Sequence, residues 1–165
     1  MKVELKSQPD NAKVWVYQSS LELTDSDLAQ IKEVGDFFLG QWESHKLPVN
    51  GSIDVYDNRF IVISAFSNED AMCGRAQDSQ MRLIKELEEV VEGKLTDRML
   101  VFYQEDNELK SFHFSELEQL LSDNKITSET VVFNSLVATK QEFTNSWKVS
   151  IKDTWLNQFL YRIRI

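Results

Sequence analysis

An apolar stripe in residues 24–42 constrains the fold more than any other local pattern in this chain. Its members recur at spacings of three and four, as residues on one face of an α-helix do. They are Leu28, Ile31, Val34, Phe38 and Trp42. Thr24 is a favourable N-cap, and Asp25 and Asp27 fall in the first turn, where the helix dipole favours anions. The sequence therefore predicts an amphipathic helix of about five turns, whose apolar face has to pack against another layer.

Strand patterns lie on both sides of this helix. Residues 13–18 are β-branched and aromatic. Residues 53–63 contain Asp57-Asn58, a dipeptide that tolerates positive φ in a tight hairpin turn. Residues 99–103 form a near-continuous apolar run, which is typical of a strand buried on both faces.

A second helix is predicted between the hairpin and this apolar run. Asp78 can cap it, and Gly93 stands where a C′ residue belongs. The resulting order, βαββαβ, is that of the ferredoxin-like fold, in which one antiparallel sheet carries both helices on one face. The predicted fold class is therefore α+β. We expect the helices and one sheet face to bury a common set of side chains: Phe38, Trp42, Ile61, Ile63, Leu87 and Val101.

A βαβ-type C-terminal extension follows this domain and ends in a short helix. Residues 131–133 supply a strand, and residues 154–160 supply the last helix. No Ser/Gly-rich linker separates the two halves. We therefore predict a βαββαβ domain over 1–104 with the extension, 105–165, packed on it, or one single domain containing both.

The charge balance of the chain limits its partners. The 165 residues include 18 basic and 27 acidic ones, for a net charge of −9. Nucleic acids and anionic membranes both need a basic face, which is available only in residues 161–165. Residues 1–6 carry charges where a signal peptide needs an apolar run, and no window approaches the ~18 apolar residues of a membrane span. We expect a cytoplasmic protein with no nucleic-acid partner and no membrane insertion.

The sequence also lacks the residue patterns of common catalytic and metal sites. A nucleotide-hydrolysing P-loop needs G-x-x-x-x-G-K-[ST], and none of the five glycines belongs to such a pattern. A single cysteine, Cys73, excludes an intramolecular disulfide and a cysteine-built zinc site. The two histidines, His45 and His113, are far apart in the chain. We therefore predict no P-loop ATPase activity, no cofactor, no metal and no catalytic machinery.

Cys73 is nevertheless the candidate for a reactive residue. It precedes a predicted helix N-terminus, and Arg75 lies nearby, so both the helix dipole and a cation favour its thiolate. A thiol-dependent enzyme or redox sensor would use this thiolate, with Asp78 as a second candidate catalytic residue. The alternative is a small, half-buried loop residue, since a nucleophile needs a base and neither histidine is near in sequence.

The same loop could bind a small anion. Gly74 lets the backbone bend, Arg75 supplies a planar fork of donors, and Ser79 could add a hydroxyl beside the free amides of the helix start. The alternative interpretation is an ordinary helix start, because every helix start has free amides and a single arginine is common.

The C-terminal third holds an unusual set of aromatic and polar side chains. They are Phe133, Asn134, Thr139, Lys140, Glu142, Phe143, Trp147, Asp153 and Trp155. Tryptophans near loops often anchor partners, because they bury a large area at low entropic cost. A partner surface is therefore predicted at Thr139, Lys140, Trp147, Asp153 and Trp155. The alternative is that the two tryptophans pin an irregular segment onto the sheet.

Three segments carry a resemblance to a known family. They read VWVYQS at 14–19, NRFI at 58–61 and KDTW at 152–155. They resemble a family of small bacterial proteins that often carry the label "ABC transporter ATPase", and the likeness covers most of the chain. The family's candidate functional motif is a Cys-Ser-Ile-Asp element before the second helix. Residues 73–78 read CGRAQD, so the cysteine and the aspartate are present and the Ser-Ile pair is not.

The C-terminal part is also similar to GYF-type domains, which the resemblance implies to be peptide-binding. The likeness lies in FSEL at 114–117, ITSETVVF at 126–133 and the downstream Trp147. We predict a non-catalytic cytosolic interaction or ligand-binding protein, whose partner is an unknown protein or a small anionic ligand. The alternative function is a thiol-dependent enzyme or redox sensor using Cys73.

Overall fold

The computed structural model describes residues 1–68 and 72–161, and the chain forms two compact units. The first unit contains Met1–Asp97 and Leu136–Phe143. The second contains Arg98–Ser135 and the described residues from Thr144 onward. The chain thus passes into the second unit after Asp97, before the boundary that the sequence predicted after residue 104. It returns to the first unit once, over Leu136–Phe143. Most of the basic segment noted at 161–165 lies outside the described residues.

The first unit is built from two long helices and an antiparallel sheet. Its elements are β1 (Lys13–Gln18), α1 (Asp25–Gln41), β2 (Glu43–Ser44), β3 (Leu47–Pro48), β4 (Asn50–Tyr56), β5 (Phe60–Phe66) and α2 (Gly74–Val90). The described strands of the main sheet have the order β1-β5-β4, and β2 pairs with β3 in a separate hairpin. Ile63 of the central strand lies opposite Trp15 on one side and Ile53 on the other.

The local signals for α1 and for the hairpin are confirmed. Thr24 caps α1, and the side chains and backbone of Thr24 and Asp27 form a reciprocal capping box. Asp57 and Asn58 adopt φ angles of 53° and 52°, the conformation that a two-residue turn between twisted strands requires.

The predicted ends of the second helix are wrong at both termini. Helix α2 begins at Gly74 with Cys73 as its N-cap, so Asp78 lies inside the helix. The helix ends at Val90, and Gly93 has no positive φ. Gly93 is instead required by a close approach: a Cβ atom there would lie 2.8 Å from Ser19 Oγ and 3.0 Å from the Leu21 nitrogen.

The second unit contains its own sheet and shorter helices. Its elements are β6 (Leu100–Glu105), β7 (Glu108–His113), α3 (Leu117–Ser122), β8 (Val131–Phe133), β9 (Lys148–Ser150) and α5 (Asn157–Leu160), while α4 (Lys140–Ser146) begins in the first unit. Short 3-10 turns span Phe114–Glu116 and Ile151–Asp153. The described strands have the antiparallel order β7-β6-β8-β9.

The protein is therefore α+β, and the ferredoxin-like order is not confirmed. The strand predicted to complete that sheet is β6, which pairs with β7 and β8 rather than with the first sheet. Trp42, Ile61, Ile63 and Leu87 are buried in the first core, with Phe38 packed against it. Val101 belongs to the second core instead. Among the described residues, no helix is long and apolar enough to cross a membrane.

We predict that Gly93→Ala lowers the free energy of unfolding by about 1–3 kcal/mol, because the added methyl group would lie 2.8 Å from the hydroxyl oxygen of the buried Ser19 and 3.0 Å from the Leu21 backbone nitrogen. Gly74→Ala is the matched control, since nothing lies within 4 Å of the added carbon. It should leave stability unchanged or raise it by up to about 1 kcal/mol, because alanine loses less entropy in a helix. Urea titrations of both variants measure the difference, and equal stabilities would contradict the close approach at Gly93.

Candidate functional site

Cys73 lies where the start of α2 meets the β2–β3 hairpin. Its backbone N–H donates to Ser44 Oγ at 3.0 Å, and the thiol is free and half-buried. A hydrogen bond from the Ser44 side chain lowers the pKa of Cys73 below its ordinary value, and backbone N–H groups of Ala76, His45 and Arg75 lower it further. Partial desolvation opposes them. These contacts favour the thiolate. Two of them come from Ser44 and His45 in the β2–β3 hairpin, which the sequence patterns did not predict.

The residues predicted to bind an anion occupy the first turns of α2. Gly74 and Arg75 are both exposed. The Ser79 hydroxyl donates to the Arg75 carbonyl oxygen at 2.9 Å and accepts from an Arg82 nitrogen at 2.8 Å. Since the hydroxyl of Ser79 already has these partners, it adds little to a site that otherwise consists of one helix start and one exposed arginine.

The predicted partner surface is divided between the two units. Thr139 and Lys140 lie in the first unit, and Trp147, Asp153 and Trp155 lie in the second. The five residues therefore belong to two separately packed groups, which are described in turn below.

In the first unit, Thr139 and Lys140 hold the returning segment against the strand β1. Thr139 forms a bridge with Lys13, and its hydroxyl accepts from the Glu142 N–H at 3.1 Å. The Lys140 ammonium donates to the carbonyl oxygens of Lys6 at 3.1 Å and Gln8 at 2.6 Å. Two of the predicted surface residues thus make intramolecular contacts.

In the second unit, the two tryptophans differ in exposure. Trp147 is only 7% exposed and packs edge-to-face on Phe133, with ring centroids 5.0 Å apart. Trp155 is half-buried, and Asp153 is exposed. Trp147 therefore acts as an anchor within the second unit, whereas Trp155 offers a ring face to a neighbouring cleft.

This cleft, here called the fork cleft, lies within the second unit beside the ends of the neighbouring strands β6 and β8. It is shallow and open to solvent. Strand β6 pairs with β8 through Tyr103 opposite Val132. Leu100 and Val101 of β6 line the cleft together with Asn134 and Ser135, which follow β8.

The floor of the fork cleft is apolar and already packed. Val101, Val132 and Leu156 line it, with exposed fractions of 6%, 1% and 1%. All three belong to the hydrophobic core of the second unit. These covered side chains close the bottom of the cleft, so the surface that a partner can contact lies on Trp155 and the polar rim.

The wall at Trp155 is held by neighbouring aromatic rings and by a local hydrogen-bonded turn. Its ring centroid lies 5.5 Å from that of Phe114 and 6.0 Å from that of Phe159. The adjacent Thr154 hydroxyl donates to the Ile151 carbonyl oxygen at 2.7 Å and accepts from the Leu156 N–H at 3.2 Å. Trp155 is therefore a partly exposed aromatic surface on a fixed support.

The rim of the fork cleft is polar. Arg98 is exposed and forms no ion pair or hydrogen bond with the described residues. The Ser135 hydroxyl likewise has no partner among them. The Asn134 backbone N–H donates to the Trp147 carbonyl oxygen at 2.6 Å, which fixes that edge. The cleft thus combines an apolar floor, an aromatic wall and two donors that are available to a ligand.

Sequence reasoning found part of this cleft and missed the rest. Phe133, Asn134 and Trp155 belong to the aromatic and polar cluster noted in the sequence, and all three line the cleft. Arg98 and Ser135 were not predicted. No local pattern marks them, because their availability depends on which carboxylates and carbonyl groups the fold leaves out of reach.

Comparison with known proteins identifies no relative of this chain. No protein-family model matches the chain, and neither a curated protein nor a solved structure shows significant similarity to it. The two resemblances therefore stay predictions. Among the described residues, no three side chains of the His, Cys, Asp and Glu types come together as metal ligands.

We predict that Lys140→Met lowers the free energy of unfolding by about 1–2 kcal/mol, because it removes two hydrogen bonds from a charged donor while keeping the aliphatic stem. Lys85→Met on the exposed face of α2 is the matched control and should change stability by less than about 0.5 kcal/mol. Thermal melts compare the two. If Lys140→Met behaves like the control, its ammonium is free to meet a partner.

We predict that iodoacetamide alkylates Cys73 with half-maximal rate at a pH below about 8.5, the ordinary thiol value. A lowered pKa keeps the reactive thiolate populated at lower pH. Ser44→Ala should move the midpoint upward, because it removes the largest cause of the lowered pKa. Ser79→Ala, which leaves that contact intact, should not move it. A wild-type midpoint at or above the ordinary value would contradict this description of the thiol.

Proposed function

We propose that this protein is a non-catalytic interaction or ligand-binding protein and that the fork cleft is its binding surface. The observation that carries the proposal is the fork cleft's packed apolar floor beside Arg98, a cation without an ion-pair partner among the described residues. A guanidinium and an aromatic ring next to a packed apolar floor are typical of places where binding energy concentrates.

The open shape of the cleft favours a macromolecular partner over a small molecule. Sites for drug-sized ligands bury most of the ligand. The fork cleft opens to solvent and its apolar floor residues are covered by the protein. A partner would therefore make most of its contacts with Trp155 and the polar rim.

We propose further that the protein acts in the cytoplasm and is related to the small bacterial family described above. The single cysteine suits a reducing compartment, and the segments at 14–19, 58–61 and 152–155 support the family. The similarity of the C-terminal part to GYF-type domains supports a peptide as the partner.

A specific observation also favours a second candidate function, that of a redox sensor. Cys73 is half-buried beside Ser44, which accepts a hydrogen bond from its backbone N–H, and the Ser44 side chain is the largest cause that lowers the pKa of the thiol. Exposure to hydrogen peroxide followed by intact-mass measurement tests it. Rapid oxidation of Cys73, slowed by Ser44→Ala, supports a sensor, and oxidation no faster than that of free cysteine would contradict it.

The primary proposal is tested with a peptide array, followed by anisotropy measurements on labelled hits. We predict that Trp155→Ala weakens binding of these peptides at least tenfold, because it removes the aromatic wall. Ser135→Tyr, which fills the rim and leaves the wall in place, should do the same. Phe37→Ala is the matched control, since this aromatic ring is 69% exposed on α1.

Loss of peptide binding in both cleft variants, with no loss in Phe37→Ala, supports the proposal. The melting temperature of each variant is measured alongside, so that unfolding is distinguished from a loss of binding. The proposal is contradicted if no peptide binds, or if the cleft variants bind as tightly as the wild type.

A further inference from the structure

We propose that two copies of this chain associate through the outer face of α1, paired antiparallel so that Phe37 of each copy packs at Gly40 of the other. Helix α1 belongs to the first unit, whereas the fork cleft lies within the second. The inference therefore goes beyond the proposed function and does not depend on it.

The first argument is the exposure of two large apolar side chains near the end of α1. Phe37 is 69% exposed, more than any other large apolar residue that the structure describes. Leu47 in β3, just beyond the helix, is 44% exposed. A surface helix normally turns its large apolar residues toward the core and its polar residues toward water, and Phe37 departs from this rule.

The second argument is the lack of charge around Phe37. Exposed residues at spacings of three and four form one line along the outer face of α1: Ser26, Ala29, Glu33, Phe37 and Gly40. Only Glu33 is charged. The corresponding exposed line on α2 is charged throughout, with Arg75, Asp78, Arg82, Lys85 and Glu89. Depletion of charge around an aromatic residue is typical of the centre of an interface, and α1 shows it where α2 of the same unit does not.

The third argument is that the same face contains the space into which Phe37 can pack. Gly40 follows Phe37 by one turn. A Cβ atom built on Gly40 would meet nothing within 4 Å, so the fold of one chain gives no reason for a glycine there. A two-fold axis makes contacts reciprocal, so each ring can occupy the gap at the other copy's Gly40.

The fourth argument is the charge at the two ends of this face. Glu33 lies upstream of the Phe37 contact, and Lys46 lies in the exposed hairpin turn that follows α1. Antiparallel pairing brings the upstream end of one helix to the downstream end of the other, so each Glu33 approaches Lys46 of the other copy. Opposite charges at these positions favour a second copy in this direction, although each copy carries a net charge of −9.

The size of the face limits the strength of the association. Helix α1 has 17 residues and is therefore about 25 Å long and about 10 Å wide. Its outer face is smaller than the roughly 800 Å² per partner of a stable complex, so we expect reversible association with a dissociation constant of about 10–500 µM.

The test is sedimentation equilibrium of the full chain over a range of concentrations that spans this value. The weight-average mass should rise with concentration from that of one chain toward that of two. Phe37→Ala and Gly40→Gln should each raise the dissociation constant at least tenfold. Gly40→Gln should not lower the melting temperature of the dilute protein, because the added side chain meets open space in the single chain.

A charge exchange tests the direction of the pairing. Glu33→Lys and Lys46→Glu should each weaken the association, and the double variant should restore it, because opposite charges then face each other again. Glu86→Lys, on the exposed side of α2, changes the net charge as Glu33→Lys does and should not weaken the association.

Three outcomes overturn the inference in distinguishable ways. A chain that remains monomeric at every concentration overturns the second copy as the occupant of this face, which is then left to a protein of another sequence. Association that is unchanged in Phe37→Ala and Gly40→Gln overturns the assignment to α1. A double charge variant that associates no better than the single ones overturns the antiparallel arrangement. The peptide measurements on the fork cleft test the proposed function separately.

Discussion

The position of β8 between β6 and β9 determines the proposed binding surface. Strand β8 pairs with β9 over three residue pairs, from Val131 opposite Ser150 to Phe133 opposite Lys148. On its other side, Val132 pairs with Tyr103 of β6. The Asn134 N–H, just after β8, donates to the Trp147 carbonyl oxygen. These contacts place the end of β8 beside β6, where residues of both segments line the cleft.

Packing of the second unit fixes the bottom of the cleft. Its floor residues belong to the core of that unit, so moving them would require a rearrangement of the core. Trp155 cannot fold over the floor without giving up its contacts with Phe114 and Phe159. The cleft is therefore preorganised, which reduces the entropy cost of binding. The Cys73 site differs in kind, because the surroundings of the thiol lower its pKa and so favour a charge state rather than a ligand.

The sequence predicted what local physics determines. The capping box of α1 and the turn at Asp57-Asn58 follow from short-range preferences, and both are confirmed. Which sheet receives β6 depends on pairing between residues distant in the chain, and here the predicted ferredoxin-like order was not confirmed. The same holds for the cleft: aromatic residues such as Trp155 stand out in a sequence, whereas the lack of an ion pair at Arg98 depends on the whole fold.

The central claim, that a partner binds in the fork cleft, is tested most directly by a titration of the ¹⁵N-labelled protein with the tightest-binding peptide, followed by backbone amide shifts. The account predicts that the largest shifts fall on Val101, Val132, Asn134, Ser135 and Trp155, all of which line the cleft. Shifts centred on Gly74 and Arg75 at the start of α2, with the cleft amides unmoved, would contradict it.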